Sequence, residues 1–280
     1  IPGRNITYWQ YLNIAFTEAQ KRRASGSAEN NIESFVLTRL DSLRNMIKQM
    51  PFLPVFQQEL ERSFVEILGK SMGELPVFIR SDTNMEDLKD FTGAGLNLTV
   101  FNVKDKQKVL QGIKDVWASP FSERSYQWRQ KILLNPENVY PSILILPSVN
   151  VEKSGVLITT GLFSDNSNDI TLAFNRGVGG AVEGQAAESY NVSSTQQFML
   201  LSPSREIRYM VLPTNGGVQK LAATFEDQIL SSNEIVRLYN LASRIKTQLS
   251  STPGLESQGP FDMEMGFKDS RLYLFQIRPF

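Results

Sequence analysis

Cysteine and histidine are both missing from the 280 residues. Without cysteine there is no disulfide, no thiolate metal site and no cysteine nucleophile, a composition that suits a cytoplasmic protein. Without histidine the chain lacks the usual general base, the Ser-His-Asp relay, most zinc sites and any phosphohistidine. An excess of one charge is missing too: 29 Lys and Arg balance 29 Asp and Glu. No basic footprint therefore marks the chain for nucleic acid or an anionic membrane. No apolar run approaches the roughly 20 residues of a membrane span, and no charged-then-apolar signal opens the sequence. Carboxylates, Lys, Arg, amides and backbone N–H groups remain for chemistry. Phosphoryl transfer from a metal-bound nucleotide fits that restriction, because it relies on positioning and charge neutralisation.

What is present describes a globular protein with one large or two small domains, 41% hydrophobic and 21% charged. The first third reads helical. Tyr8 to Arg23, Glu33 to Met50 and Val55 to Met72 carry apolar residues at helical spacing, with a polar loop at Ala24 to Asn31 and Gly73 where a C-cap is expected. Strands dominate from Leu75. Pro76 to Arg80 is short and apolar, and Leu96 to Val103 alternates before helical patterns at Lys106 to Trp117 and Ser122 to Leu133. Ser142 to Leu146 and Gly155 to Thr160 read as two strands joined at a polar bend, and Ile170 to Asn175 as another. Gln196 to Leu201 and Ile207 to Leu212 flank a turn at Pro203. Ser232 to Leu249 is an amphipathic helix with Ser232 as its N-cap, and Phe261 to Phe280 is a β-hairpin. Helices and strands mix without strict alternation, which predicts an α+β fold.

Three segments carry chemistry-bearing side chains. In the terminal hairpin, Asp262 and Glu264 share one strand face, while Phe261, Met263 and Met265 share the other. Gln276 and Arg278 also share a face. A loop with an odd number of residues, such as Asp269 to Arg271, sets Glu264 opposite Gln276 and Asp262 opposite Arg278. Two carboxylates, an amide and a guanidinium on one patch suit a hard divalent cation and the phosphates it carries. Spacing alone favours a solvated polar face of an amphipathic hairpin over such a site. The second segment runs from Arg80 at a strand end, through Asp82, Glu86, Asp87 and Asp90, to Gly93-Ala94-Gly95. It reads as a phosphate clamp with a glycine loop, or as a tight turn before a strand. The third is the glycine cluster Gly177, Gly179, Gly180 and Gly184 around Glu183, placed after an apolar strand where binding loops or hairpin connections sit.

Order and wording together resemble one family. Arg80-Ser81-Asp82-Thr83-Asn84 with Glu86-Asp87-Leu88 is similar to the "RSS…EDL…AGQ" segment of phosphoenolpyruvate synthase and pyruvate phosphate dikinase. It is similar also to the "RSDSNGEDL…GAGL" form of α-glucan water dikinases. Ser119-Pro120-Phe121 through Arg124 looks like the helix start that follows in these enzymes. Ser154-Gly155-Val156-Leu157-Ile158-Thr159 resembles "SGVLFT". Gly177-Val178-Gly179 through Gly184, then Glu188-Ser189-Tyr190, looks like "GLGE…G…PD.Y". Asp262-x-Glu264 to Leu272-Tyr273-Leu274-Phe275-Gln276-Ile277-Arg278-Pro279 resembles "DIEW…LYILQARP".

The resemblance implies an ATP-grasp fold with a helical start. Two lobes, 1–141 and 142–280, would clamp ATP and Mg²⁺ between antiparallel sheets. It assigns Arg80 and Arg278 to the phosphates as catalytic residues, and Gly93, Ala94 and Gly95 to cover them. Glu264 and Gln276 would ligate the metal, with Asp262 beside the nucleotide. The interlobe strand with Ile145, Leu146 and Ser148 would lie against adenine, and Glu183 would reach the phosphates. The implied reaction is that of a kinase with paired acceptors: a phosphoryl group passes from Mg-ATP to a histidine. With no histidine here, that acceptor belongs to another domain of a longer chain or to a partner, and the fragment is expected to be inactive alone. The family's "GGKGA" lysine segment is not among these residues. Leu146 stands where members carry Gln, and Gly180 where they carry Glu. These departures fit an alternative, a degenerate module that binds nucleotide or a partner without catalysis.

Overall fold

A computed structural model describes the chain apart from residues 2–4, 86, 89–90, 93–97, 133–137, 165, 180–185 and 251–258, and gives the backbone alone at 87–88, 91–92, 132 and 250. It forms two compact units. The first comprises Ile1–Ser148 with Thr214–Gly217, and the second Val149–Pro213 with Val218–Phe280.

The first unit opens with three helices, α1 (Tyr8–Ala24), α2 (Glu29–Gln49) and α3 (Pro54–Leu68). Thr7 starts α1 with a reciprocal capping box: its hydroxyl accepts from Gln10 N, and its own N–H donates to the Gln10 side chain. The apolar stripe of α2 begins at Ile32 and continues through Val36, Leu40, Leu43 and Ile47, all buried. The helix therefore starts at Glu29, ahead of the predicted Glu33, and the loop before it shrinks. Pro54 occupies the first turn of α3, and Gly69, at φ 69°, closes it. The glycine cap thus falls at Gly69 and not at Gly73, since the chain has already turned away at Met72, which bridges to Leu75.

Strands β1 (Val77–Thr83), β2 (Asp87–Leu88), β3 (Phe91–Thr92) and β4 (Thr99–Val103) follow, then α4 (Lys106–Ala118), α5 (Glu123–Ile132) and β5 (Pro141–Pro147). A three-stranded antiparallel sheet has the order β4-β1-β5. Val109, Ile113 and Val116 of α4 cover it, packing on Val77 and Ile79 together with Phe64 of α3. Each such buried aliphatic side chain contributes about 2 kcal/mol.

The second unit contains β6 (Lys153–Ile158), β7 (Ile170–Arg176), β8 (Glu188–Val192), β9 (Phe198–Ser202), β10 (Arg208–Val211), β11 (Gln219–Ala222), α6 (Ser232–Ser250), β12 (Phe261–Lys268) and β13 (Arg271–Pro279). Six of these strands form an antiparallel sheet ordered β13-β12-β6-β7-β8-β9. The strands on either side of the polar bend at Glu152 and Lys153 do not form the predicted hairpin: β5 belongs to the first unit's sheet, and β6 pairs with β7 and β12. Likewise β9 and β10 do not pair across Pro203. β9 joins β8, and β10 joins β11.

One face of the large sheet is apolar and carries α6. Leu157, Leu172, Phe174, Tyr190, Met263, Met265 and Phe267 pack against Ile235, Leu238 and Ala242. Ser231 and Glu234 form the capping box of α6, with Ser231 N donating to Glu234 Oε2 at 2.8 Å and Glu234 N to Ser231 Oγ at 3.3 Å. The N-cap lies one residue before the predicted Ser232. The alternation that buries Met263 and Met265 puts Asp262, Glu264, Val156, Ile158, Ala173, Thr171 and Asn191 on the other face, where the polar side chains of these strands mix with aliphatic ones.

Candidate functional site

The polar face is best defined at the terminal hairpin. Asp269 and Ser270, at φ 49° and 61°, make a two-residue turn whose positive dihedrals match the twist of the strands. Pairing runs without interruption from Lys268↔Arg271 to Met265↔Leu274, then shifts by one residue at Phe275 and resumes with Glu264↔Gln276 and Asp262↔Arg278. The predicted partners therefore meet by a different route. A two-residue turn plus a bulge supplies the odd residue, in place of an odd loop.

Arg278 donates from Nε and Nη2 to Asp262 Oδ2 at 3.0 and 2.8 Å. Both side chains are mostly buried, at 14% and 12% exposure. Asp262 Oδ1 is buried and accepts no hydrogen bond. A carboxylate with one oxygen engaged and the other unmet has spare capacity for a ligand hydroxyl, a water or a cation. Among the described residues no three acidic side chains cluster as a metal cage. The Glu264–Gln276 pair offers two oxygen donors, which fits Mg²⁺: that ion takes one or two protein ligands and completes its shell with water and phosphate.

The first unit positions its predicted residues on β1 and β5. Arg80 sits between Thr99 of β4 and Leu144 of β5. Ile145 and Leu146 pair with Ile79 and Phe78. Ser148 follows: its N–H donates to Pro76 O at 2.8 Å, while its Oγ is buried without a partner. Asn84 ties the end of β1 to the approach of β5, accepting from Tyr140 N at 2.7 Å and donating to Asn138 O at 3.0 Å. Gly93, Ala94, Gly95 and Glu183 lie outside the described residues.

The glycine cluster lies between β7 and β8. At its start three successive N–H groups are already engaged: Gly177 donates to Glu152 O at 2.7 Å, Val178 to Met210 O at 2.9 Å and Gly179 to Ser154 Oγ at 3.0 Å. Gly177, at φ 70°, has no room for a side chain, since a Cβ would stand 2.1 Å from the Met210 carbonyl oxygen. Gly177 and Gly179 build a corner, and their N–H groups are not available to a phosphate, while Gly180 and Gly184 of the cluster lie outside the described residues. Beside it Arg176 pairs with Glu206 at 3.0 Å and donates to Asp227 O at 2.6 Å.

The "SGV" motif also has a packing cause. A Cβ on Gly155 would meet Ala173 O at 2.2 Å and the Phe174 ring at 2.5 Å. Replacing Gly155 by Ala is expected to destabilise the chain by about 2 kcal/mol through overpacking. Urea unfolding checks this as a lowered midpoint with an unchanged slope.

Glu188 is a residue whose role spacing does not reveal. It is buried on β8 and accepts from Ile229 N at 2.9 Å, Leu230 N at 3.0 Å and the Tyr190 hydroxyl at 3.1 Å. It thereby holds the approach to α6. An acidic residue at an inward strand position is the only signal a sequence offers for this.

The pattern of the family described as "Pyruvate phosphate dikinase, AMP/ATP-binding domain" matches residues 5–280. Among curated relatives, a phosphoenolpyruvate synthase of Pyrococcus furiosus is 25% identical, covering 85% of this chain and 30% of its own length. A probable phosphoenolpyruvate synthase of Archaeoglobus fulgidus is 27% identical, covering 79% and 28%. A rifampicin phosphotransferase of Bacillus cereus is 25% identical, covering 86% and 27%. The chain thus spans about 30% of the length of the curated relatives it matches.

Proposed function

Because the chain belongs to the pyruvate phosphate dikinase AMP/ATP-binding domain family, we propose that it binds Mg-ATP in an ATP-grasp arrangement and serves phosphoryl transfer to a histidine on another domain. The observation that carries this is the terminal hairpin, where a buried Asp262–Arg278 pair with an unmet carboxylate oxygen adjoins the Glu264–Gln276 pair. Arg80 and Arg278 hold phosphates through charge-assisted N–H donors. Asp262 fixes the Arg278 guanidinium and offers Oδ1 to the nucleotide. Glu264 and Gln276 hold Mg²⁺, which supplies charge neutralisation when bound. Ile145, Leu146 and Ser148 line the adenine side, with Ser148 Oγ free to take a hydrogen bond.

Calorimetry tests this on the 280-residue chain and on a version extended upstream. ATP is expected to bind about tenfold more tightly with Mg²⁺ than without, roughly 1.4 kcal/mol, and Glu264→Gln is expected to remove that difference. Absence of ATP binding by both chains would sink the proposal. A second reading, nucleotide binding without transfer, is favoured by Leu146, which puts an apolar side chain where family members carry Gln. ATP binding by the complete protein with no phosphohistidine formed would select it.

A further inference from the structure

The helical start of the first unit holds a groove to which the nucleotide reading gives no role. It runs between α1 and α2, has a volume of about 800 Å³, and is lined by Tyr11, Ile14 and Ala15 of α1 and Phe35 of α2. Tyr11 and Ala15 are buried, whereas Ile14 is 60% exposed. Steps of three and four residues carry the same stripe of α1 on to Glu18, Lys21 and Arg22. The groove thus passes from an apolar end to a charged one.

The charges do not balance. Lys21, Arg22 and Arg39 share the lining with a single carboxylate, that of Glu18, which accepts from Arg22 Nε at 3.0 Å. The Arg22 guanidinium lies 3.9 Å from the centre of the Phe35 ring, and that of Arg39 lies 5.2 Å from it. A guanidinium held against a ring keeps N–H donors at its rim for other acceptors. Among the described residues the side chains of Lys21 and Arg39 make no ion pair and no hydrogen bond. The negative end of the α1 dipole accounts for Lys21 and Arg22 in the last turn of that helix. It does not account for Arg39, which stands midway along α2, one turn on from Phe35. Two uncommitted cations beside an apolar, aromatic wall suit an anion with an apolar body. The volume falls within the roughly 300–1,000 Å³ of small-molecule sites.

We propose that the α1–α2 groove binds a small organic anion, a carboxylate carried on an aromatic or alicyclic body. Its acid group is held by Lys21 and Arg39, and its body lies along Tyr11, Ile14 and Ala15. The site uses none of the residues assigned to nucleotide or metal, so it does not rest on the Mg-ATP reading.

Calorimetry on the 280-residue chain tests this with 2-naphthoate as the probe, set against 2-naphthylmethylammonium, which has a similar body and the opposite charge. The anion is expected to bind about tenfold more tightly than the cation. Arg39→Gln and Lys21→Gln are each expected to weaken 2-naphthoate about fivefold, the scale of an exposed charge pair. Ile14→Glu, which sets a carboxylate at the apolar end, is expected to weaken it about tenfold. Lys220→Gln, on β11, serves as the control and should stay within about twofold of the parent. All four positions are exposed, and melting temperatures within about 5 °C of the parent establish that the variants are folded. Absence of 2-naphthoate binding, equal affinity for the two probes, or unchanged affinity in Arg39→Gln overturns the proposal. Displacement of 2-naphthoate by saturating Mg-ATP overturns it too, since the probe would then sit in the nucleotide site. A chain that binds 2-naphthoate with these dependences but no Mg-ATP overturns the nucleotide reading and supports this site.

Discussion

Replacing Arg278 by alanine is expected to lower unfolding free energy by about 4 kcal/mol and to weaken Mg-ATP binding at least ~100-fold. The first effect follows from burial. Asp262 and Arg278 are 12% and 14% exposed, and removing one partner of a buried pair leaves the other charge uncompensated, at roughly 3–5 kcal/mol. The second follows from chemistry, since a lost charge-assisted hydrogen bond to phosphate is worth about 2–3 kcal/mol. A double variant separates the two. Asp262→Leu with Arg278→Met removes both charges and fills the space with apolar side chains, so stability should recover to within about 1 kcal/mol of the parent. Mg-ATP binding should stay lost. Urea unfolding and calorimetry on the same samples read both quantities. Recovery of stability together with binding within threefold of the parent would show that the pair is structural and that the phosphates bind elsewhere.

Glu188→Ala is expected to be as damaging to stability, by about 4 kcal/mol, for a different reason. The carboxylate receives Ile229 N, Leu230 N and the Tyr190 hydroxyl. Truncation strands three buried donors, each at roughly 1–3 kcal/mol, with water able to reach only some of them. Glu188→Gln keeps an acceptor and should lose about half as much. Because the two backbone donors precede α6, amide exchange along that helix should accelerate in the alanine variant before exchange in the first unit does. Exchange that rises uniformly across both units would contradict this local account.

Helices were the most legible part of the sequence because their signals are local. The stripe from Phe35 to Ile47 and the stripe from Ile235 to Leu249 specify their own buried faces, and the structure shifts only their ends. Strand partners were less legible. The bend at Glu152 looks like a hairpin turn, yet β5 and β6 each find partners far away in sequence, since pairing rewards non-local contacts that spacing cannot show. β8 carries no clear strand signature, because Glu188, a charged residue, occupies an inward position.

The site divides in the same manner. Period-two spacing in the last hairpin placed Asp262 and Glu264 on one face and the methionines on the other, and the observed register pairs them with Arg278 and Gln276. The bulge that produces this register left no mark in the residue pattern. The unmet oxygens of Asp262 and Ser148, and the engaged N–H groups of Gly177 to Gly179, depend on atoms contributed by distant segments.

The extra residue at Phe275 also bears on how copies of this chain behave toward one another. β13 is the outermost strand of its sheet, with Leu274 51% exposed. A straight outer strand offers a row of N–H and C=O groups to any other extended chain that drifts past. The bulge bends and twists this one, and Pro279 withholds a donor near its end. Removing Phe275 would leave Gln276 and Arg278 opposite the same partners while straightening the strand that carries them. The irregularity is then dispensable for pairing within the hairpin, and its physical consequence is an outer edge less suited to the addition of another strand.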